Sequence, residues 1–178
     1  ESLYVRKSVA NHLNDISKDH PDLFISFAHE NLLDQSVNRG WVLRHSARTL
    51  IKAGHPEIWP LIGCKNDVDV KAVSLSINKG NIKLGDSITF AFKAESGSES
   101  TQKLVIDYAV HFQSAKGMKR RKVFKLKTLE LEAGEKISID KAITFKPLST
   151  RKLYSGEHSI DIMINGKVYQ TETFELFI

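Results

Sequence analysis

The first third of the sequence carries apolar residues at helical spacing. Val5, Val9, Leu13 and Ile16 recur every three or four residues, which is the period of a helix with one apolar stripe. This spacing predicts a helix over residues 3–18. With proline as an N-terminal signal and glycine as a C-terminal signal, the same reasoning predicts three more helical segments: residues 22–33, residues 39–53 and a short one after Pro56.

From Val70 onward, apolar and polar residues alternate. The longest alternating run extends from Leu104 to Phe112, and Asn165-Gly166 separates two later runs. Strict alternation predicts strands with one buried and one wet face, and Asn-Gly between two such runs predicts a tight hairpin. The predicted fold class is therefore α plus β in two domains: helices over residues 1–65, then an Ig-like antiparallel β-sandwich of about seven strands over residues 66–178.

The helical part contains an internal repeat. One pattern occurs twice, 37 residues apart, as Tyr4-Val5-x-Lys7-x-x-Ala10-x-x-Leu13 and as Trp41-Val42-x-Arg44-x-x-Ala47-x-x-Leu50. A repeat of this length and spacing is typical of stacked helical arrays, whose units bury their faces only against neighbours. Because the sequence opens on Glu1, inside a repeat, we expect residues 1–65 to be the C-terminal end of a longer array, truncated at its N-terminus.

The net charge of +5 is unevenly distributed. Residues 1–63 are balanced, with seven Lys/Arg and seven Asp/Glu, so the whole excess lies after them. Two runs contain cations and no acid, residues 38–52 and residues 116–127. Like charges on a folded element repel each other, so a polyanionic partner is one interpretation of these runs. A solvated basic face is the other.

Composition excludes several classes of protein. No apolar run approaches the roughly 18 residues of a membrane helix, and Cys64 is the only cysteine, which excludes a disulfide framework. The seven histidines have no spacing typical of a metal site. There is also no glycine-rich phosphate loop and no Gly-x-Ser-x-Gly elbow. We therefore expect no membrane partner, no metal and no cofactor.

Two stretches of the helical part carry a family resemblance. Residues 4–21 and 41–54 resemble a signature of bacterial DNA alkylation repair proteins, the HEAT-like-repeat alkylbase DNA glycosylases of the AlkC/AlkD superfamily. The order of the two domains is similar to the AlkC branch, some members of which carry an Ig-like domain after the repeats. Gly156-Glu157-His158 and Asn165-Gly166 are the most recognisable steps of the β part.

The resemblance implies a function in base excision repair in the bacterial cytoplasm, by a monomer. The implied activity is hydrolysis of the N-glycosidic bond of cationic N-alkylated bases in duplex DNA, of the 3-methyladenine or 3-methylcytosine type. A base that already carries positive charge is a good leaving group, and a carboxylate stabilises the oxocarbenium-like sugar. Asp15 is a candidate for that carboxylate; the alternative is an acid upstream of Glu1. The competing interpretations are a non-catalytic DNA-binding or protein-interaction module on the same scaffold, and a protein-binding Ig-like module.

The repeated helices supply most of the candidate DNA contacts. Arg44, Arg48 and Lys52 are spaced to share one helix face, and Lys7 and Asn11 occupy the matching places in the first copy. Such cations bind phosphates on a groove or form a solvated face. Three further residues on these helices are candidates for the same groove: Arg6, Asn14 and His45.

Several of these candidates have a structural alternative. Asn11, Asn14 and Asp15 are poor helix-interior residues, so they either line the groove or form hydrogen bonds between repeats. His45 faces phosphate or is a structural histidine. For the equivalent Tyr4 and Trp41, core packing is favoured over stacking on DNA.

The second basic run lies on a predicted β-hairpin. Its candidate contacts to the DNA backbone are Lys119, Arg120, Arg121 and Lys122. The alternative is an exposed sheet edge that lysines keep soluble.

Overall fold

The structure is a computed structural model. It divides the chain into two compact units, Glu1–Asp67 and Val68–Ile178. It describes four ranges: residues 2–32, 36–117, 119–147 and 152–178.

The first unit is helical. Its helices are α1 (Leu3–Asp19), α2 (Pro21–Asn31), α3 (Val37–Ser46), α4 (Arg48–Ala53) and α5 (Ile58–Leu61). The expected end signals are present, since Ser2 and Ser36 accept N-cap hydrogen bonds. Gly54 ends α4 in the left-handed conformation, with φ 76°. Leu33, the last residue of the second predicted helix, lies outside the described residues.

Two features of this unit differ from the sequence prediction. The single helix predicted over residues 39–53 is divided at Ala47 into α3 and α4. The apolar stripe of α1 is also only partly covered, because Val5 and Val9 are 47% and 46% exposed. The residues that α1 buries are small or polar: Ala10, Asn14 and Ser17.

The described residues of the second unit form eight strands. They are β1 (Val70–Ile77), β2 (Asn81–Lys83), β3 (Ser87–Ser96), β4 (Gln102–Gln113), β5 (Lys119–Leu131), β6 (Lys136–Thr144), β7 (Gly156–Ile164) and β8 (Lys167–Phe177). One sheet has the order β1-β3-β6, and the other has the order β2-β8-β7-β4-β5.

A shared core joins the two sheets. Phe90 and Phe92 of β3 pack in one cluster with the inward residues of β4, from Leu104 to Phe112, as their alternation predicts. The β7–β8 hairpin turns on Asn165 and Gly166, whose positive φ angles of 43° and 77° are those a two-residue turn requires.

The predicted order of helices followed by a two-sheet sandwich is confirmed. One detail is corrected: β2 pairs with β8 in parallel, so the sandwich is not wholly antiparallel.

Candidate nucleic-acid interface

The ring of Trp41 on α3 organises two candidate contacts. It stacks on the His45 ring with centroids 4.7 Å apart and planes 11° from parallel. The Arg6 guanidinium of α1 lies 5.7 Å from the centroid of the Trp41 ring, and its Nη1 donates to Asn38 Oδ1 at 2.5 Å. A half-buried tryptophan therefore ties α1 to α3 and holds Arg6 and His45 in place.

Tyr4 occupies the equivalent position in the first copy of the repeat but has a different environment. It is 82% exposed. The preference for core packing of Tyr4 was therefore wrong, because α1 turns this side chain away from the neighbouring helices that the structure describes.

Two positive groups, Lys7 of α1 and Arg48 of α4, lie close to His45 of α3. Burial lowers the pKa of His45, and the charges of Arg48 and Lys7 lower it further. His45 is consequently neutral at pH 7, and the charge in this region comes from Lys7 of α1 and Arg48 of α4. The Arg48 Nη1 donates to the backbone carbonyl of His45 at 2.8 Å.

The other candidates on these helices are exposed. Lys7, Asn11 and Asp15 follow each other at one-turn spacing along α1, and Arg44 and Lys52 are exposed on α3 and α4. Among the described residues, none of the four cations Lys7, Arg44, Arg48 and Lys52 forms an ion pair. Their charges therefore remain available to an external anion.

Asn14 has a structural role instead. It is 1% exposed, and its Oδ1 accepts hydrogen bonds from the Thr49 backbone N–H at 3.2 Å and from Thr49 Oγ1 at 2.9 Å. Burial contradicts the prediction that Asn14 contacts DNA, because its side chain is almost completely covered by the protein. Of the two interpretations, the hydrogen bond between repeats applies to this residue. The sequence did not single out Thr49, the partner of Asn14.

Asp15 carries an exposed carboxylate beside a cation. The Lys18 Nζ lies 2.6 Å from Asp15 Oδ1, and the Asp15 side chain is 67% exposed. The hydrogen bond and charge of Lys18 lower the pKa of Asp15, with smaller contributions from Arg48 and His12. The carboxylate is therefore ionised at neutral pH, the state that stabilises a developing cation.

Strand geometry separates the four cations of the predicted basic hairpin. β5 is an edge strand, and Arg120 and Lys122 pair with the core residues Phe112 and Val110 of β4. Arg121 pairs with the outward His111 instead. Since paired residues share a face, Arg120 and Lys122 lie on one face of the sheet and Lys119 and Arg121 on the other.

The contacts of these cations also differ. Lys119 Nζ lies 2.5 Å from Glu157 Oε1, and this hydrogen bond lowers the pKa of Glu157. Arg121 Nη2 lies 2.9 Å from the Met163 sulfur. Lys122 Nζ lies 5.4 Å from the centroid of the Phe124 ring. It forms no ion pair among the described residues.

A polar network on the outer face of the larger sheet was not predicted. His111 Nε2 lies 2.6 Å from Asp161 Oδ2, and Thr171 Oγ1 donates to Asp161 Oδ1 at 2.9 Å. The signal in the sequence was a titratable residue at the outward positions of two strongly alternating strands, β4 and β7.

The described residues contain no helix long and apolar enough to cross a bilayer. Within the same ranges, no group of three or more His, Cys, Asp or Glu side chains is arranged to hold a metal ion.

Comparison with known proteins identifies the family. Residues 71–178 match the family described as "Uncharacterised protein YhaZ, C-terminal Ig-like domain". The chain belongs to the YhaZ family. Uncharacterized protein YhaZ of Bacillus subtilis (strain 168) is 38% identical over 176 residues, which are 99% of this chain and 48% of that protein. The YhaZ-family chain thus spans about half the length of this curated relative.

A solved structure matches this YhaZ-family chain along its whole length. It is the Pseudomonas fluorescens alkylpurine DNA glycosylase AlkC bound to DNA containing an abasic site analog, with 39% identity and a TM-score of 0.95 over 100% of this chain and 49% of that chain. The predicted fold, helical repeats followed by an Ig-like β domain, is therefore confirmed, and the predicted likeness to AlkC is confirmed with it. A β-glucosidase (D270A mutant) of Listeria innocua, with 16% identity and a TM-score of 0.51 over 62% of this chain, shares the fold alone.

Proposed function

We propose that this protein acts in DNA alkylation repair as part of a DNA glycosylase that binds duplex DNA. The observation that carries the proposal is the match to DNA-bound AlkC, at 39% identity and a TM-score of 0.95 over the whole chain. The proposed reaction is hydrolysis of the N-glycosidic bond of cationic N-alkylated bases, of the 3-methyladenine or 3-methylcytosine type. A bacterial cytoplasmic location, base excision repair as the pathway and a monomeric state remain predictions.

The charges of the helical unit support a role in DNA binding. Lys7 and Arg48 lie near His45, and Arg44 and Lys52 are exposed on the helices beside them. Cations that lack an internal ion pair can neutralise DNA phosphates without first breaking one. The neutralisation releases the counterions of the DNA, which favours binding. The proposed DNA-binding surface, called the repeat surface, consists of these four cations together with Arg6 and Asn11.

Asp15 is the proposed carboxylate of the helical unit. Its ionised, exposed side chain lies on the same helix face as Lys7 and Asn11. When an alkylated base leaves, positive charge develops on the sugar, and a fixed carboxylate stabilises it. Lys18 must move off Asp15 for this role, since the ion pair would otherwise offset the carboxylate's field.

A second candidate function is DNA binding without catalysis by this part of the protein. Two observations favour it: the chain spans about half of its curated relative, and the Asp15 carboxylate is paired with Lys18. In that case the repeat surface and the β5 cations Lys119, Arg120, Arg121 and Lys122 bind the backbone, and the reacting groups belong to another part of the protein.

Binding and base release can be tested separately. Affinity for a duplex is measured at several salt concentrations for the chain and for Arg44→Gln and Arg48→Gln, with Lys79→Gln as a control because Lys79 is an exposed lysine outside the helical unit. Each lost phosphate contact is expected to reduce the slope of log K against log[salt] by about 0.9. A salt-independent affinity would contradict DNA binding and favour a protein-binding module.

Base release is measured with methylated DNA, for this chain and for the full-length Bacillus subtilis relative. Release of 3-methyladenine by the full-length protein supports the glycosylase proposal. Absence of release at high protein concentration, with salt-dependent binding retained, supports the second candidate.

A further inference from the structure

At the division between α3 and α4, two backbone groups form hydrogen bonds with side chains. In a continuous helix the Thr49 N–H would donate to the His45 carbonyl, four residues earlier. Here the Thr49 N–H donates to Asn14 Oδ1 at 3.2 Å, and the His45 carbonyl accepts from Arg48 Nη1 at 2.8 Å. Asn14 therefore accepts from the Thr49 N–H, and Arg48 donates to the His45 carbonyl. A continuous helix would pair these two backbone groups with each other.

Asn14 caps α4 from another helix. The N-cap residue of α4 is Ala47, which offers no side-chain hydrogen bond, so the first N–H groups of α4 need an outside acceptor. Asn14 of α1 supplies one, and the Thr49 hydroxyl donates to the same oxygen at 2.9 Å. Because the Asn14 side chain is 1% exposed, water does not replace this acceptor readily.

The interruption determines where the Arg48 guanidinium lies. The Thr49 N–H is directed to Asn14 Oδ1, and the Arg48 guanidinium lies on the His45 carbonyl, next to the His45 ring. In a continuous helix the Thr49 N–H would share that carbonyl with the Arg48 guanidinium. Residue 47 does not itself cause the break, since alanine has the highest helix propensity.

We propose that Asn14 is a positioning residue of the repeat surface: through Thr49 it keeps the helix open at Ala47 and so holds the Arg48 guanidinium beside His45, in place for a DNA phosphate. The inference rests on the proposed function for its last step only. The position of Arg48 relative to His45 is measurable without DNA.

The first test is an NMR titration of His45 in the whole chain. Arg48 lowers the pKa of His45, so Asn14→Ala and Arg48→Gln are both expected to raise that pKa towards its ordinary value. Thr49→Ser keeps both donors and is expected to leave the His45 pKa unchanged. Ile25→Val, a buried change on α2, is the control for lost stability and is expected to leave it unchanged as well.

The second test is a double-mutant cycle on duplex affinity. Asn14→Ala is expected to reduce the salt slope by about 0.9, the value of one phosphate contact. In the Arg48→Gln background it is expected to reduce affinity no further, because the residue through which it acts is already gone. Folded content of each variant is checked by circular dichroism at the temperature of the assay.

The outcomes distinguish the inference from the proposed function. If Asn14→Ala lowers the melting temperature but leaves the His45 titration unchanged, Asn14 is merely structural and the inference is overturned, whatever the DNA result. If the titration moves but Arg48→Gln binds DNA as the unaltered chain does, the proposed Arg48–phosphate contact is wrong. Equal losses from Asn14→Ala in both backgrounds would also overturn the inference.

Discussion

Trp41 and His45 stack with their ring centroids 4.7 Å apart, one turn apart on α3. The stack removes the imidazole partly from water and places it near two cations. Burial is the largest cause of the lowered His45 pKa, followed by Arg48 and Lys7. The histidine is thus held neutral in a region of positive charge.

This arrangement predicts a pH dependence of stability. The folded pKa of His45 lies below its ordinary value of 6.5, so between the two values the unfolded chain binds more protons than the folded chain. The stability contributed by neutral His45 is complete above about pH 6.5. It decreases as the pH falls from there through the lower, folded pKa. His45→Gln is expected to flatten this part of the pH profile, measured by urea unfolding at several pH values. His29→Gln, on the exposed side of α2, is the matched control, and equal flattening in both variants would contradict the role of His45.

The Trp41 ring itself is expected to stabilise the helical unit. Trp41→Ala removes the stack on His45 and the cation–π contact with Arg6, and we expect it to cost about 1–2 kcal/mol beyond the lost apolar burial. Trp41→Phe keeps a ring in place and should cost less. Urea unfolding measures both variants, and a cycle with His45→Ala isolates the stacking energy. A coupling energy of zero in that cycle would show that the rings contribute nothing as a pair.

The sequence allowed the element types to be predicted better than the contacts of single residues. Alternation from Leu104 to Phe112 predicted the central strand, because strand side chains face opposite sides whatever surrounds them. Asn165-Gly166 predicted the hairpin for a similarly local reason, the need for two positive φ angles.

The break at Ala47 could not be predicted, because its cause is not local. Residues 39–53 contain no proline, and their spacing fits one helix. The acceptor that interrupts the helix comes from Asn14, 35 residues earlier than Thr49. The place of Asn14 in the sequence fits either a groove residue or a hydrogen bond between helices. Only the position of α4 distinguishes these two roles. Tyr4 was placed in the core by analogy with Trp41, although the two repeats have different neighbours.

The polar network of the larger sheet is expected to support its stability. Asp161 accepts from Thr171 and contacts His111, and its side chain is largely buried. Asp161→Ala leaves both partners without their acceptor, which should cost about 1–3 kcal/mol in the free energy of unfolding. Asp140→Ala, on an exposed position of β6, is the control. Urea unfolding at pH 7 compares the two, and equal small losses would show that the network contributes no stability.

The two faces of β5 are expected to differ in DNA binding. Arg120 and Lys122 carry charges without anionic partners among the described residues, whereas Lys119 is neutralised by Glu157. The double variant Arg120→Gln/Lys122→Gln should therefore reduce the salt slope by about 1.8, the value of two phosphate contacts. Lys119→Gln/Arg121→Gln should reduce it by less. Fluorescence anisotropy with a labelled duplex at several salt concentrations measures the slopes. A larger effect of the second pair would place the DNA on the opposite face, and no effect of either would limit β5 to its role as a protected edge.

Asp15 allows the catalytic proposal to be separated from DNA binding. Asp15→Asn removes the negative charge but keeps the shape and the helix face, so duplex affinity should stay the same or rise slightly. If the carboxylate stabilises the sugar cation, base release by the protein should fall by about 10²–10³-fold, the usual effect of removing one electrostatic stabiliser. Asp19→Asn, an exposed acid at the end of the same helix, is the matched control and should retain release. Lys18→Ala frees Asp15 from its ion pair and should not lower the rate. Unchanged release by Asp15→Asn would contradict a catalytic role for Asp15 and assign the stabilising acid to another part of the protein.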